Sequence, residues 1–235
     1  GGGTFDTALV TSNEGSLSVV AHNGDNYLGG KDIDWSIVDK VIVPKISSKF
    51  SLRNFNRGES KYNGVFSRLK YIAESSKIAL SQFSNTLIEI DNIGNDDNNQ
   101  PIYLSFDYSR KEFEALIQPI IDQTITIAKQ TITESGLKNS TINKIVLVGG
   151  PTQIPYIRQR LKQDLGIEVD TSIDPLTSVA HGASIFAISQ KIPEQFMSSK
   201  KSMSNDTCIL DLYHESLTSD TDESVSGLIS TLSNV

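Results

Sequence analysis

A single cysteine in 235 residues, Cys208, excludes an internal disulfide and with it the cross-linked scaffold of a small secreted domain. Basic residues are also scarce: 21 Lys and Arg stand against 28 Asp and Glu, a formal charge of -7. Such a chain has no cationic surplus to neutralise nucleic-acid phosphates or an anionic membrane, and no run of Lys or Arg supplies one locally. No apolar run is long enough to cross a bilayer, and no charged-then-apolar opening resembles a signal peptide. An initiating methionine is missing too. The chain opens Gly1-Gly2-Gly3, which reads as a fragment boundary with any targeting signal upstream. What remains is 37% hydrophobic and 21% charged, the balance of a soluble globular protein with one large domain or two small ones.

Periodicity divides the chain. Thr4 to Val10 and Ser16 to His22 read as strands joined at Asn13-Glu14-Gly15. Ile33 to Ser48 is helical, with Ile33, Ile37, Val38, Val41 and Ile42 apolar. Phe50 to Gly64 is polar and mixed, a loop or short helix. A second helix starts at Val65 and runs through Leu69, Ile72, Ala73, Ser76 and Leu80. Thr86 to Ile90 and Ile102 to Phe106 form a hairpin across the turn Asn92 to Gln100, which predicts a small α+β subdomain. Ser109 and Glu112 form a capping box for a helix that Gly136 closes. Asn143 to Val148 is a strand leading into Gly149-Gly150. Ile154 to Leu165 is a helix stopped by Gly166, Ile167 to Val169 a short strand, and Asp174-Pro175 opens a last helix through Val179, Ala180, Ala183, Ile185 and Ile188. Beyond Gln190 the chain turns rich in Ser, Thr, Lys and acids. It reads as a linker or disordered tail with one apolar island, Cys208 to Leu212.

Four segments carry candidate chemistry. Gly1-Gly2-Gly3-Thr4-Phe5-Asp6 lets main-chain N–H groups approach phosphate oxygens, adds the Thr4 hydroxyl, and sets Asp6 on the adjoining strand to hold a metal-bound water or orient an attacking one. The plain alternative is a turn or a flexible lead. Leu28-Gly29-Gly30-Lys31-Asp32 turns two glycines toward a helix start, where N–H groups face an anion; an ordinary strand-to-helix turn capped by Asp32 is the competing reading. Glu74, Lys77 and Ser81 line one helical face and can hold ribose hydroxyls and a base edge, or simply form a solvated ion pair. Val146 to Pro155, with Gly149, Gly150, Pro151, Thr152 and Gln153, delivers a glycine turn from a strand to a helix start, the local geometry of a nucleotide-binding turn or of a plain connection.

Taken in order, GGGTFD, LGGKD, the ExxKxxxS helix, IVLVGGPTQIP and IDPLTSVAHGAS resemble the DnaK-type seventy-kilodalton heat-shock chaperones, members of the actin-like ATPase group, over about residues 1–190. The resemblance implies an α/β fold: the second lobe of an actin-like ATPase domain. That lobe would have a mixed, five-stranded sheet flanked by helices (1–27 and 111–190) and an inserted smaller α+β subdomain (28–110). Residues 191–235 are left as a loosely ordered linker or tail, or the start of a substrate-binding domain. ATP or ADP with Mg2+ would lie in a cleft of which this chain forms one wall. Gly2, Gly3 and Thr4 then match a phosphate loop, Asp6 a carboxylate near the metal and attacking water, and Gly30 a glycine near phosphates and ribose. Glu74, Lys77 and Ser81 match residues holding ribose and adenine, and Gly149 and Gly150 the turn under the adenosine. The implied catalytic residues are Asp6 and Thr4.

Departures from the pattern are specific. Gln153 stands where the family has an adenine-stacking Arg, and Gln has no planar cation to offer. Leu176-Thr177 replaces an acidic pair, Lys31 an acidic residue, and Pro151 a small polar one. The implied parent is an ATP-driven chaperone in the cytoplasm, with unfolded or partly folded clients, a J-domain co-chaperone and a nucleotide exchange factor as partners. The fragment alone is expected not to hydrolyse ATP, since the other phosphate loop is absent. A divergent, weakly or non-hydrolysing holding or exchange partner is the alternative, and a sugar or acetate kinase of the same superfamily a third.

Overall fold

Alternating β-branched and polar residues on either side of Asn13 favour a two-stranded ribbon. The computed structural model has one: β1 (Phe5–Asn13) runs antiparallel to β2 (Ser16–Asp25), from Asn13↔Ser16 down to Phe5↔Asp25, with one register shift between Leu9 and Val10. The structure describes residues 2–13, 16–91, 93–189, 208–213 and 226–231. Gly1, Glu14, Gly15 and Asn92, all parts of expected turns, lie outside them. Residues 1–184 form one compact unit and 185–235 a second.

The glycine pair opens its helix earlier than the apolar period indicates. α1 (Gly30–Ile37) is capped at Gly29, and Asp32 caps from within the first turn: its carboxylate accepts the Gly29 N–H at 2.8 Å. A residue taken as the cap is therefore the third residue of the helix, three positions on from the cap, where a reciprocal carboxylate belongs. The helix continues through one wider π turn, Val38–Ile42, into α2 (Val43–Ser47). Pro44 lacks an N–H for the preceding turn and its ring would crowd the Lys40 carbonyl, so a wider turn just ahead of it relieves the clash.

The segment from Phe50 to Gly64 is less of a loop than its composition indicates. Phe55 and Tyr62 are buried, their rings 4.9 Å apart edge to face, and α3 (Asn63–Gln82) begins two residues before the expected Val65. β3 (Asn85–Ile90) and β4 (Leu104–Ser109) pair antiparallel in register from Asn85↔Ser109 to Ile90↔Leu104. β4 thus starts two residues later than expected. The earlier part of that segment is held by an isolated bridge, Asn95↔Pro101, and by the Ile102 N–H on Gly94 O. α4 (Arg110–Glu134) begins with the expected capping box: Ser109 Oγ accepts the Glu112 N–H at 3.2 Å, and Glu112 Oε2 accepts the Ser109 N–H at 2.9 Å.

One hydrophobic core joins these elements. Ile33, Ile37 and Ile42 from the first helical run, Leu69 and Leu80 from α3, Ile88 from β3, and Phe113, Ile117 and Ile121 from α4 are all at or near zero exposure and mutually packed. The ribbon is tied to α4 by polar contacts: Asn23 Nδ2 donates to Glu134 Oε2 at 2.6 Å, and Gln123 Nε2 donates to Asp25 Oδ2 at 2.8 Å.

After α4, Gly136 and Gly166 take left-handed φ values of 72° and 67° and end their helices as expected. The strand before the glycine turn is shorter than Asn143 to Val148 suggests. β5 (Ile145–Val146) pairs in parallel with β6 (Val169–Asp170) over two residues only, and Val146 and Val148 stay about half exposed. The described residues hold their strands as separate two-stranded sheets, so the five-stranded layer implied by the resemblance is not assembled among them. Among the described residues β6 is the strand paired with β5, and that ladder ends at Val146↔Asp170, so it does not extend toward Val148.

α5 (Pro155–Leu165) follows the glycine turn. The last helix, α6 (Ser178–Ser189), starts four residues after Asp174 because Asp174 to Thr177 folds as a turn that caps it, with the Ser178 N–H on Asp174 O at 3.0 Å. Its expected apolar residues Val179 and Ile185 are two-thirds exposed. In the second unit, β7 (Cys208–Tyr213) pairs antiparallel with β8 (Ser226–Thr231), so the apolar island of the tail is a strand; the remaining expectations for the tail lie outside the described residues. No helix among the described residues is long and apolar enough to cross a membrane.

Candidate functional site

The site is built on main chain brought together by glycine. A Cβ added at Gly29 would lie 2.7–2.9 Å from the backbone atoms of Gly3, a distance at which something must move, and backbone cannot. Only glycine lets the start of α1 press on the amino-terminal run. Beside this contact the Lys31 N–H donates to Gly2 O at 2.8 Å. A Cβ at Gly30 would meet Pro151 Cγ at 2.9 Å, Lys77 Nζ at 3.6 Å and Gly2 O at 3.7 Å. One residue of α1 thus touches the amino-terminal glycines, α3 and the turn after β5.

That turn is pinned in its own right. Gly149 sits at φ 92°, a conformation that strains any other residue, and its N–H donates to Pro175 O at 2.8 Å, which ties the IDPLT segment to it. Residues Gly150–Gln153 form one 3-10 turn, in which Thr152 Oγ1 donates to Gly149 O at 2.6 Å. A Cβ at Gly150 would meet only Leu176 Cδ2, at 3.5 Å. All five segments singled out in the sequence therefore converge.

Not every expected residue joins with a free functional group. Lys77 Nζ is 2.7 Å from Asp34 Oδ1, with side-chain exposures of 10% and 4%, while Glu74 lies 3.9 Å away and is half exposed. The lysine charge is thus committed first to Asp34. Burial pushes the Asp34 carboxyl above the ordinary carboxylate range in spite of that partner. Ser81 turns its hydroxyl back onto Lys77 O at 3.0 Å within α3. Thr4 Oγ1 donates to Asp6 Oδ2 at 3.0 Å on the exposed start of β1, so the two residues expected to act together do touch. Gln153 is exposed at the end of its 3-10 turn.

Asp34 was missed from sequence. Its signal was an acid set between Ile33 and Ile37 on a stripe that otherwise faces the core, where an ionised group needs a partner. Leu176 enters the site as a neighbour of Gly150.

The arrangement suits an anion. At Gly2 an added Cβ meets nothing within 4 Å, and at Gly150 only a side-chain methyl at 3.5 Å. Folding does not demand glycine at either place, so the missing side chains leave bare main chain facing space. Bare amides beside the first turn of α1 are the elements from which phosphate cradles are made. Among the described residues no group of three or more His, Cys, Asp or Glu could hold a metal by itself. A divalent cation there would rely on one carboxylate, Asp6, with phosphate oxygens and water, a donor set that suits Mg2+.

A family model for the Hsp70 protein matches residues 1–223. The chain is 36% identical over 185 residues to a mitochondrial-type heat shock protein 70 of Encephalitozoon cuniculi, covering 79% of this chain and 30% of that protein. It is 33% identical over 187 residues to the chaperone protein DnaK of Nitrosopumilus maritimus, covering 80% and 28%, and 35% identical over 188 residues to a mitochondrial-type heat shock protein 70 of Encephalitozoon hellem, covering 79% and 30%. The chain thus spans less than a third of the length of these relatives. With the family model extending across nearly its whole length and relatives 33–36% identical over about four-fifths of it, the chain belongs to the Hsp70 family.

Proposed function

We propose that this chain is the second lobe of the nucleotide-binding domain of an ATP-dependent molecular chaperone that assists protein folding. The observation that supports the reading is the closeness of Gly30 to Gly2 O, Lys77 and Pro151 at once, all within 3.7 Å of a Cβ built on it, which gathers three glycine-bearing segments at one place. Gly2, Gly3 and Thr4 would face the terminal phosphates, and Gly149 and Gly150 the adenosine and first phosphate. Glu74 and Ser81 would border the ribose, with Lys77 reaching it only as far as its pair with Asp34 allows. Asp6, steadied by the Thr4 hydroxyl, would hold a water on Mg2+ or orient the attacking one. Bound Mg2+ would neutralise charge on the phosphates. The division into 1–27 with 111–190 and an inserted 28–110 is part of this reading, as is a cytoplasmic location, although two relatives are named mitochondrial-type.

Opening and closing of two lobes around nucleotide would change the grip of a separate domain on unfolded segments, since a ligand that binds one state better shifts the population toward it. Client proteins, a J-domain co-chaperone and a nucleotide exchange factor belong to that cycle. A non-hydrolysing holding or exchange partner is the less supported reading: the matched relatives carry the names chaperone or heat shock protein.

The test is titration of ATP and ADP, with ATP turnover, on the full-length protein. Binding with turnover is expected; no detectable affinity contradicts the reading. Replacing Gln153, exposed beside the turn, by Arg adds a planar cation for base stacking and is expected to tighten adenine-nucleotide binding roughly twofold to fivefold, the range of an exposed cation–π contact. An unchanged affinity in Gln153→Arg would place the adenine elsewhere.

A further inference from the structure

We propose that Lys31 is a phosphate-binding residue of this site, supplying the positive charge that the amino-terminal glycine run lacks. The inference rests on the nucleotide-site reading above and assigns the cation within it.

Two lysines reach the glycine cluster. Lys77 is buried and its charge is met by Asp34 at 2.7 Å. Lys31 is exposed and makes no ion pair among the described residues. Its backbone is nonetheless anchored to the amino-terminal run, and its side chain lies along it. The Lys31 N–H donates to Gly2 O at 2.8 Å, and its side chain lies along Gly3: a Cβ built there would sit 3.5 Å from Cδ and Cε and 3.2 Å from Nζ. The ammonium therefore rests over main chain that the amino-terminal glycines leave without side chains. It can donate up to three hydrogen bonds and has no protein carboxylate to spend them on. A terminal phosphate of a nucleoside polyphosphate, lying against the Gly2 and Gly3 amides, would lie within reach of it and receive charge-assisted bonds. A nucleoside without phosphates would gain nothing from this residue.

The experiment measures affinity of the full-length protein and its Lys31→Met, Lys31→Arg and Lys31→Glu variants for ATP, ADP and adenosine at two salt concentrations, with thermal unfolding to register any change in folding. Lys31→Met is expected to weaken ATP binding about tenfold, the scale of a lost charged hydrogen bond, and Lys31→Glu further, with adenosine affinity unmoved. Lys31→Arg should stay within about twofold of wild type, and the salt dependence of ATP binding should flatten in Lys31→Met, because an exposed charge is screened. Equal losses for ATP and adenosine would assign Lys31 a structural role only and overturn the proposal. Wild-type binding with an unaltered Lys31→Met variant would overturn it while leaving the site standing. Failure of the wild type to bind any nucleotide would bring down the site and Lys31 with it.

Discussion

Replacing Gly29 by alanine is expected to lower nucleotide affinity by about a hundredfold and to destabilise the fold by about 1–3 kcal/mol, the usual cost of forcing a methyl into packed surroundings. The methyl would sit 2.7–2.9 Å from three backbone atoms of Gly3, so the amino-terminal run and α1 must part. A displacement near 1 Å at a positioning contact is enough to cost two orders of magnitude in function. Gly2→Ala separates the two effects. Its Cβ meets nothing within 4 Å, so stability should hold, while phosphate binding should weaken because the methyl would stand where the proposed site places the phosphate. Gly64→Ala, in open space on α3, serves as the neutral control. Titration of ADP with urea unfolding of the three variants checks the order. Equal nucleotide affinity in Gly29→Ala and wild type would mean that the contact with Gly3 does not shape the site.

The second large effect belongs to the buried pair of α1 and α3. Lys77→Met leaves Asp34, at 4% exposure, with its carboxylate facing no cation at contact distance, and breaking one side of a buried pair costs about 3–5 kcal/mol. Joint replacement, Asp34→Leu with Lys77→Met, should recover most of that loss, since the penalty comes from the orphaned charge rather than from a missing attraction. The pH dependence has a definite sign. The folded-state value of Asp34 lies above its ordinary 3.8, so the native state binds the proton more readily than the unfolded chain. The stabilising contribution of Asp34 is therefore full below 3.8 and is lost as pH rises through the raised folded value. In Asp34→Asn this loss disappears, and the variant should gain on wild type as pH climbs from 3.8. Urea midpoints measured across that window check it; a stability difference that does not change with pH would mean that the carboxyl is not perturbed by burial.

The glycine motifs carried most of the site in sequence because each encodes a local necessity. Gly149 has to adopt φ 92° and Gly136 and Gly166 have to end helices, and such demands are written in one residue. The Ser109 and Glu112 box was legible for the same reason. What the sequence hid was non-local. The pairing of Lys77 with Asp34 joins residues 43 positions apart, and helical spacing within α3 could offer only Glu74 as the partner. The length of β5 depends on which strands lie beside it, so the apolar run within Asn143 to Val148 overstated it. The apolar residues of α6 gave the right element, but exposure of Val179 and Ile185 is decided by packing rather than by period. Pro151 stood in the sequence only as a departure from a small polar residue. In the fold it is the residue that touches Gly30.

Amide hydrogen exchange of the full-length protein, with and without ADP and Mg2+, tests the shared site most directly. Nucleotide is expected to slow exchange together at Gly2 and Gly3, at Gly29 to Lys31 and at Gly149 to Thr152 (excluding Pro151, which has no amide hydrogen), with β3 and β4 unchanged. Protection confined to one of these segments, or none at any of them while nucleotide is demonstrably bound, would contradict it.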